Sequence, residues 1–298
     1  MRTRHKILLL GHTGFVGHAL AAAFQNRGVE VEGVASHDMD LTQGESVDRL
    51  LPRVDGKTIL VVAAAARPET DKGRGSAQAN IEIAAHVARL IETASLEKCV
   101  YLSTASVYGE GGSDRPITEE SPVSPHSEYA AAKCEGERLL QEATSRAYAP
   151  LVMVRPCRIF GAGDTQATYG PSRFVETIIH ERHVQLYGDG NELRDGVFVR
   201  DAARAIVELS LGVHQGVFNL ATGRSFSFRE AVDCLRGIVP YGFEVIQKQR
   251  TGPLFNQHFD VTRLVRVLPG WPFTMLVDAL KATYHESAEM ATAGRPYA

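Results

Sequence analysis

Cysteine is scarce in this chain and follows no pattern. The four present, Cys99, Cys134, Cys157 and Cys234, are scattered without a C-x-x-C spacing. Such scatter argues against a metal cluster or a disulfide framework. Isolated cysteines in apolar surroundings usually fill core positions, and the chain reads as cytoplasmic and reducing. An excess of one charge is also lacking. The 32 Lys and Arg nearly balance 35 Asp and Glu, for a net charge of −3, which offers no attraction for nucleic acid or a membrane surface. No stretch approaches the ~20 apolar residues of a membrane span. Arg2, Arg4 and Lys6 lead into the short apolar run Ile7–Leu10, which ends at a glycine. A secretory signal needs a longer run and a small-residue cleavage site. His180 and His183 have no carboxylates at metal spacing, so a solvated helix end is expected there and no metal. No internal repeat is present.

What the chain does contain is alternation. Its 298 residues are 44% hydrophobic and 22% charged, as in a globular protein of one large or two smaller domains. Apolar runs at Ile7–Leu10, Val29–Ala35, Thr58–Ala65, Cys99–Ser103 and Leu151–Val154 read as strands. Phe15–Asn26, Ala77–Thr93 and Ser127–Ala147 between them read as helices. Such alternation predicts an α/β fold, a Rossmann-type doubly wound parallel sheet. It occupies residues 1–165, with 194–222 returning to it. A smaller mixed α/β C-terminal substrate lobe is expected from 166–193 and 223–286, and a loose tail from 287 to 298. Ligands bind at the carboxyl ends of such strands, where Gly11–Gly17, Ser103–Thr104 and Arg155–Gly163 fall.

Three motifs at those ends carry chemistry. Gly11, Gly14 and Gly17 follow a strand and open a helix, as a dinucleotide loop requires. Backbone there can approach a pyrophosphate, and the helix N–H groups receive its charge. Thr13, Phe15 and Val16 join this candidate cofactor set, as do Ala63, Ala64 and Ala65 at the end of the third run. The second run ends in Ala35-Ser36-His37 with no acid for a ribose 2′-hydroxyl. Ser36 or His37 can contact a 2′-phosphate, so NADP(H) is favoured over NAD(H). Asp40 and Leu41 either lie along the adenine or, for Asp40, cap the next helix.

Tyr129-x-x-x-Lys133 places a phenol and an ammonium on one helix face. A cation within a turn lowers a phenol's pKa, which makes the pair a candidate proton shuttle for carbonyl and alcohol chemistry. Alone, the motif reads sooner as a half-buried tyrosine and a solvated lysine; its place after the glycine loop and Ser103-Thr104 reverses this and favours the shuttle. Thr104 either hydrogen-bonds the substrate oxygen or caps the strand end. Arg194 suits a diphosphate or a surface salt bridge, and Arg250 is a second candidate.

In order, these motifs resemble the extended short-chain dehydrogenase/reductases, specifically the NAD(P)-dependent sugar-nucleotide epimerase/dehydratase/reductase family. The resemblance is carried by Gly11-x-x-Gly14-x-x-Gly17, Tyr101–Gly109, Tyr129-x-x-x-Lys133 and Arg155-Pro156…Ile159-Phe160-Gly161. It continues through Tyr187–Gly190, Arg194-Asp195, Val199-Arg200-Asp201 and Gly216–Leu220. It implies Thr104, Tyr129 and Lys133 as a catalytic triad, a nucleotide-sugar substrate, and a homodimer through paired helices. Departures narrow the chemistry. Ala105 and Ser106 stand where the family's 4,6-dehydratases carry Asp-Glu, and Ser106 also replaces the Cys of 3,5-epimerases. Arg158 stands where an Asn is usual. Ser106, Arg158, Arg194 and Arg250 form the candidate substrate-binding set. The glycine loop resembles that of the GDP-fucose synthase branch, with Thr13 for an Arg; Asp40-Leu41-Thr42 resembles 4-ketosugar reductases, including the dTDP-rhamnose synthase branch. The expected function is NADPH-dependent reduction of a nucleotide-linked 4-ketosugar. A 4-epimerase retaining NAD and a catalytically silent NADP(H)-sensing scaffold are the alternatives.

Overall fold

The computed structural model describes residues 5–66, 75–109, 115–164, 169–252 and 254–293. The chain runs β1 (Lys6–Leu10), α1 (Phe15–Asn26), β2 (Glu30–Val34), α2 (Gly44–Asp48), β3 (Thr58–Val62), α3 (Ser76–Thr93), β4 (Lys98–Leu102), α4 (Glu128–Arg146) and β5 (Leu151–Pro156). Next come β6 (Arg158–Phe160), α5 (Pro171–Glu181), β7 (His183–Tyr187), β8 (Leu193–Arg194), β9 (Gly196–Phe198), α6 (Val199–Leu211) and β10 (Gly216–Leu220). The last elements are β11 (Phe226–Ser227), α7 (Phe228–Ile238), β12 (Glu244–Lys248), α8 (Thr262–Val267) and α9 (Leu276–Thr292).

Six strands form one parallel sheet in the order β10-β5-β4-β3-β1-β2. Every residue of β3 and β4 is buried, as expected of central strands covered on both faces. One face packs on α1 and α6 through Leu20, Phe24, Ile206 and Leu209; the other packs on α3 and α4 through Ile83, Val87, Leu140 and Ala143. The order of the strands reverses between β1 and β3, the switch point where such sheets bind ligands. The strand expected to reach Ala65 ends at Val62, which frees Ala63–Ala66 as a loop beside the glycines. A separate apolar cluster joins α5, α7, α9 and β7 around Phe160, Phe174, Phe226 and Phe228. β12 extends β7 in parallel pairing.

The tail expected from Ser287 is corrected. α9 continues to Thr292, and Ser287 is buried against the lobe. A helix of small residues carries a weak apolar stripe, and packing against α5 and α7 supplies what the pattern lacks. Residues 294–298 of that expectation, and the basic Arg2 and Arg4, lie outside the described residues.

Lys98 is buried, yet its Nζ donates to the carbonyls of Leu209 (3.4 Å), Ser210 (2.9 Å) and Gly212 at the end of α6. These are the acceptors a helix C-terminus leaves open. Lys98→Met strands them, and the expected loss is about 2 kcal/mol of unfolding free energy in urea titrations; unchanged stability would mean that water replaces the ammonium.

Candidate active site

The loop after β1 is set by contacts only glycine allows. Gly11 has φ +85°, and a Cβ there would lie 2.7 Å from the Ala64 backbone. A Cβ on Gly17 would lie 1.9 Å from the Gly11 carbonyl oxygen. The loop is pinned by Gly11 N–H to Val34 O (2.8 Å) and Gly14 N–H to Gly11 O (3.1 Å). Gly14 is the N-cap of α1, whose first turn carries no acid. Its open N–H groups therefore fit the pyrophosphate of a dinucleotide. Thr13 is exposed at the loop tip, and Phe15 and Val16 are half-buried behind it.

The facing loop, Ala63–Ala66, is held by a residue that sequence reasoning missed. Buried Asn80 accepts from Ala66 N (3.1 Å) and donates to Ala66 O (3.2 Å) and Ser76 O (2.6 Å). Nothing local marks it, because its partners lie in another loop.

The end of β2 differs from the acid-free reading. Ser36 and His37 are exposed there, but the Asp38 carboxylate folds back to accept from Ala35 N–H (3.3 Å) and lies 3.3 Å from His37 Nε2. An acid does stand beside the end of β2, three residues beyond Ala35. Asp40 makes a turn bond, accepting from Thr42 N (2.9 Å) and Thr42 Oγ1 (2.7 Å). The N-cap of α2 is Gln43, so Asp40 does not cap that helix. Leu41 is buried in the core, with its carbonyl bonded to His86 Nδ1 at 3.0 Å.

Thr104 and the Lys133 ammonium meet at the exit of β4, and Tyr129 lies one turn before Lys133 on α4. Thr104 follows that strand and starts a short turn, where its Oγ1 accepts from Ser106 N (3.1 Å) and donates to Ser106 Oγ (3.2 Å). It therefore caps, and it forms a hydroxyl pair with exposed Ser106. Tyr129 lies in the first turn of α4, which Ser127 caps by accepting from Ala130 N at 3.2 Å. Its hydroxyl makes no hydrogen bond within the described residues. Lys133 is buried; its Nζ donates to Leu102 O at 2.7 Å and sits 4.7 Å from the Tyr101 ring centre.

The expected lowering of the Tyr129 pKa is corrected. Two-fifths of Tyr129 (40%) is open to solvent, and desolvation by the protein around the rest pushes its phenol pKa up. Lys133 is drawn into the sheet instead of toward the phenol. Burial lowers its own pKa to about 8, against a smaller opposing pull from the Glu137 carboxylate. Spacing along a helix gave proximity, but the carbonyl of a neighbouring strand took the ammonium.

The arginines gather in the lobe around a buried carboxylate, Glu192, that sequence reasoning also missed. Arg250 binds Glu192 and donates to Tyr187 O at 3.1 Å. Arg194 Nη2 is 4.0 Å from the same carboxylate, and its Nη1 donates to Phe255 O and to Leu193 O at 3.0 Å. A cavity of about 260 Å³ opens between Tyr169, Tyr187, Glu192, Arg250, Thr251 and Gly252. Arg158 donates to Tyr169 O at 2.8 Å, while its buried Nε has no partner. Burial lowers its pKa and nearby Asp164 opposes this. Asp195, beside Arg194, is wholly buried and structural: it accepts from Thr222 N (3.0 Å), Thr222 Oγ1 (2.7 Å) and Gly223 N (2.8 Å).

Among the described residues no cluster of His, Cys, Asp and Glu suits a metal, and no helix is long and apolar enough to cross a membrane. A family model described as "NAD dependent epimerase/dehydratase family" matches residues 7–221. The chain is 30% identical over 241 residues to a dTDP-glucose 4,6-dehydratase of Streptomyces niveus, covering 75% of this chain and 68% of that protein. It is 27% identical over 306 residues to a UDP-glucose 4-epimerase of Mycolicibacterium smegmatis, covering 93% and 97%. The fold is shared with a UDP-glucose 4-epimerase from Thermotoga maritima solved with UDP-glucose (TM-score 0.85, 22% identity, 96% and 99% covered). It is shared also with RMD from Pseudomonas aeruginosa complexed with NADPH (TM-score 0.83, 21% identity, 96% and 99% covered).

The lysine gives a test by linkage. Below pH 8 Lys133 is charged in both folded and unfolded chains, and its burial costs stability in full. Between about 8 and 10.5 only the unfolded chain keeps the proton, so wild type gains stability as pH rises. Relative to Lys133→Met it should gain about 3 kcal/mol across that window in urea titrations; a flat difference would contradict the buried, depressed amine.

Proposed function

The chain belongs to the NAD dependent epimerase/dehydratase family, and within it we propose that the protein is an NADPH-dependent reductase of a nucleotide-linked 4-ketosugar. Bound along Gly11–Gly17, the dinucleotide supplies the hydride for the C4 carbonyl. Tyr129 gives its proton to the oxygen, so a ketone becomes an alcohol. The observation that favours this reading is geometric. The Thr104–Ser106 hydroxyl pair and the Lys133 ammonium meet at the exit of β4. The helix that carries Lys133 carries the solvent-reachable Tyr129 one turn earlier; a protonated phenol is the acid the step needs. The Thr104–Ser106 hydroxyl pair orients the carbonyl. Lys133, with N–H groups beyond the one given to Leu102, holds ribose hydroxyls.

Water elimination finds no support at this site. Buried Ala105 and exposed Ser106 follow Thr104 with no acid, and the Glu137 carboxylate beneath is bound by Arg155. In the lobe, Arg194 and Arg250 are the proposed diphosphate ligands, with Arg158 toward the sugar. Their shared Glu192 offsets one charge. The division into a cofactor domain (1–165 and 194–222) and a substrate lobe (166–193 and 223–286) is part of the same proposal, as is a homodimer.

A second reading, an NAD-retaining 4-epimerase, is favoured by Asp38. A carboxylate at the ribose edge suits a 2′-hydroxyl and repels a 2′-phosphate. Dinucleotide released from freshly purified protein separates the readings. Empty protein binding NADPH above NADH supports the reductase, and stoichiometric retained NAD⁺ supports the epimerase. Tyr129→Phe should keep cofactor affinity and lose ~10²–10⁴-fold in turnover; near-normal turnover would remove Tyr129 from the mechanism.

A further inference from the structure

Under the Tyr129–Lys133 face lies a buried charge pair that the proposed chemistry does not use. Arg155 Nη2 meets Glu137 Oε2 at 2.6 Å and Nε meets Oε1 at 2.9 Å, with each residue only 6% exposed. Ser103 Oγ donates to Glu137 Oε1 at 2.5 Å. Arg155 Nη1 donates to Tyr108 Oη at 3.0 Å, and Tyr108 donates to Asn219 Oδ1 at 2.6 Å. One turn earlier on α4, Lys133 reaches Leu102 O. The catalytic helix is thus fastened to two consecutive residues of the β4 exit, Leu102 through Lys133 and Ser103 through Glu137, directly before Thr104. Gly136 permits the approach, since a Cβ there would lie 2.4 Å from Tyr101 Oη.

Stability is a weak reason for such a pair, because apolar replacements of buried ion pairs are often neutral or stabilising. Registry is the stronger reason. We propose that Glu137 and Arg155 are positioning residues that hold α4 in register with the end of β4, and so hold Tyr129 and Lys133 against Thr104. This rests on the reading of Tyr129 and Lys133 as the proton-transfer pair. The groups facing Lys133 are Tyr129 and Glu137 on its own helix, Tyr101 on β4 and, beyond Glu137, Arg155 on β5. Glu137 is the one that supports its charge. Without that carboxylate the lysine gives up its proton at lower pH.

Three variants test this: Glu137→Gln, Ser103→Ala, and the double Glu137→Gln/Arg155→Met, which removes both charges and so avoids a lone buried guanidinium. Glu137→Gln and the double variant should lose roughly 10- to 100-fold in kcat. In the Glu137→Gln variant the alkaline limb of the kcat–pH profile should move to lower pH. Ser103→Ala keeps both charges; its kcat should fall several-fold with the limb in place. Folded variants with wild-type kcat and limb would overturn the proposal and leave the pair purely structural. An active Tyr129→Phe would instead sink the catalytic reading beneath it, whatever the Glu137 variants do.

Discussion

A buried carboxylate holds the floor of the site together. Both oxygens of Glu137 are taken by Arg155, and one of them also by Ser103. In a low-dielectric interior such bonds are strong only if every partner is in place, so four elements must meet here: α4, the exits of β4 and β5, and β10 through Asn219. Asn219 carries the connection outward, with its N–H on Glu119 Oε1 (2.8 Å) and its Nδ2 on Ile117 O (3.4 Å). Ile117 is in turn bonded to His258 O (2.7 Å), and Gln257 to Leu193 O (3.0 Å). Hydrogen bonds, with the backbone from His258 to Gln257 between them, thus join the helix bearing Tyr129 to the strand bearing Arg194.

The two ends of the cleft solve opposite charge problems. At the sheet end, Lys133 is desolvated and its nearest counter-charge belongs to another residue. At the lobe end, Arg194 and Arg250 lie against Glu192, and Arg158 keeps a buried Nε without a partner. The proposed substrate brings a diphosphate, whose charge suits the surplus of arginine there. The cofactor end is less one-sided. Asp38 lies 3.3 Å from His37 Nε2 just beyond β2, and under the proposed reading this is where a 2′-hydroxyl and a 2′-phosphate are told apart.

Much of the fold was legible because its signals are local. The runs at β1, β3 and β4 are apolar on both faces, and the glycine loop needs residues only six apart. The residues proposed as catalytic stood out through order along the chain. Glu137, Arg155, Asn80 and Glu192 were not, because each acquires its role from a partner that only the topology brings near. Asp38 was overlooked for a different reason: its side chain turns back on the strand end from beyond it. The Tyr129 pKa was misjudged because four residues on a helix guarantee a shared face but not a shared bond. The last turn of α9 was taken for a tail because Ser287, Ala288 and Ala291 carry too little apolar surface to announce a helix.

The central claim is a net hydride transfer to a sugar carbonyl with Tyr129 as the acid. It is tested most directly with NADPH deuterated at the transferable C4 position and a nucleotide-linked 4-ketosugar made in situ by a 4,6-dehydratase. The account predicts one deuterium at sugar C4 by mass spectrometry, with matching loss of NADPH absorbance. An unlabelled sugar interconverted at C4 without net NADPH consumption would contradict it.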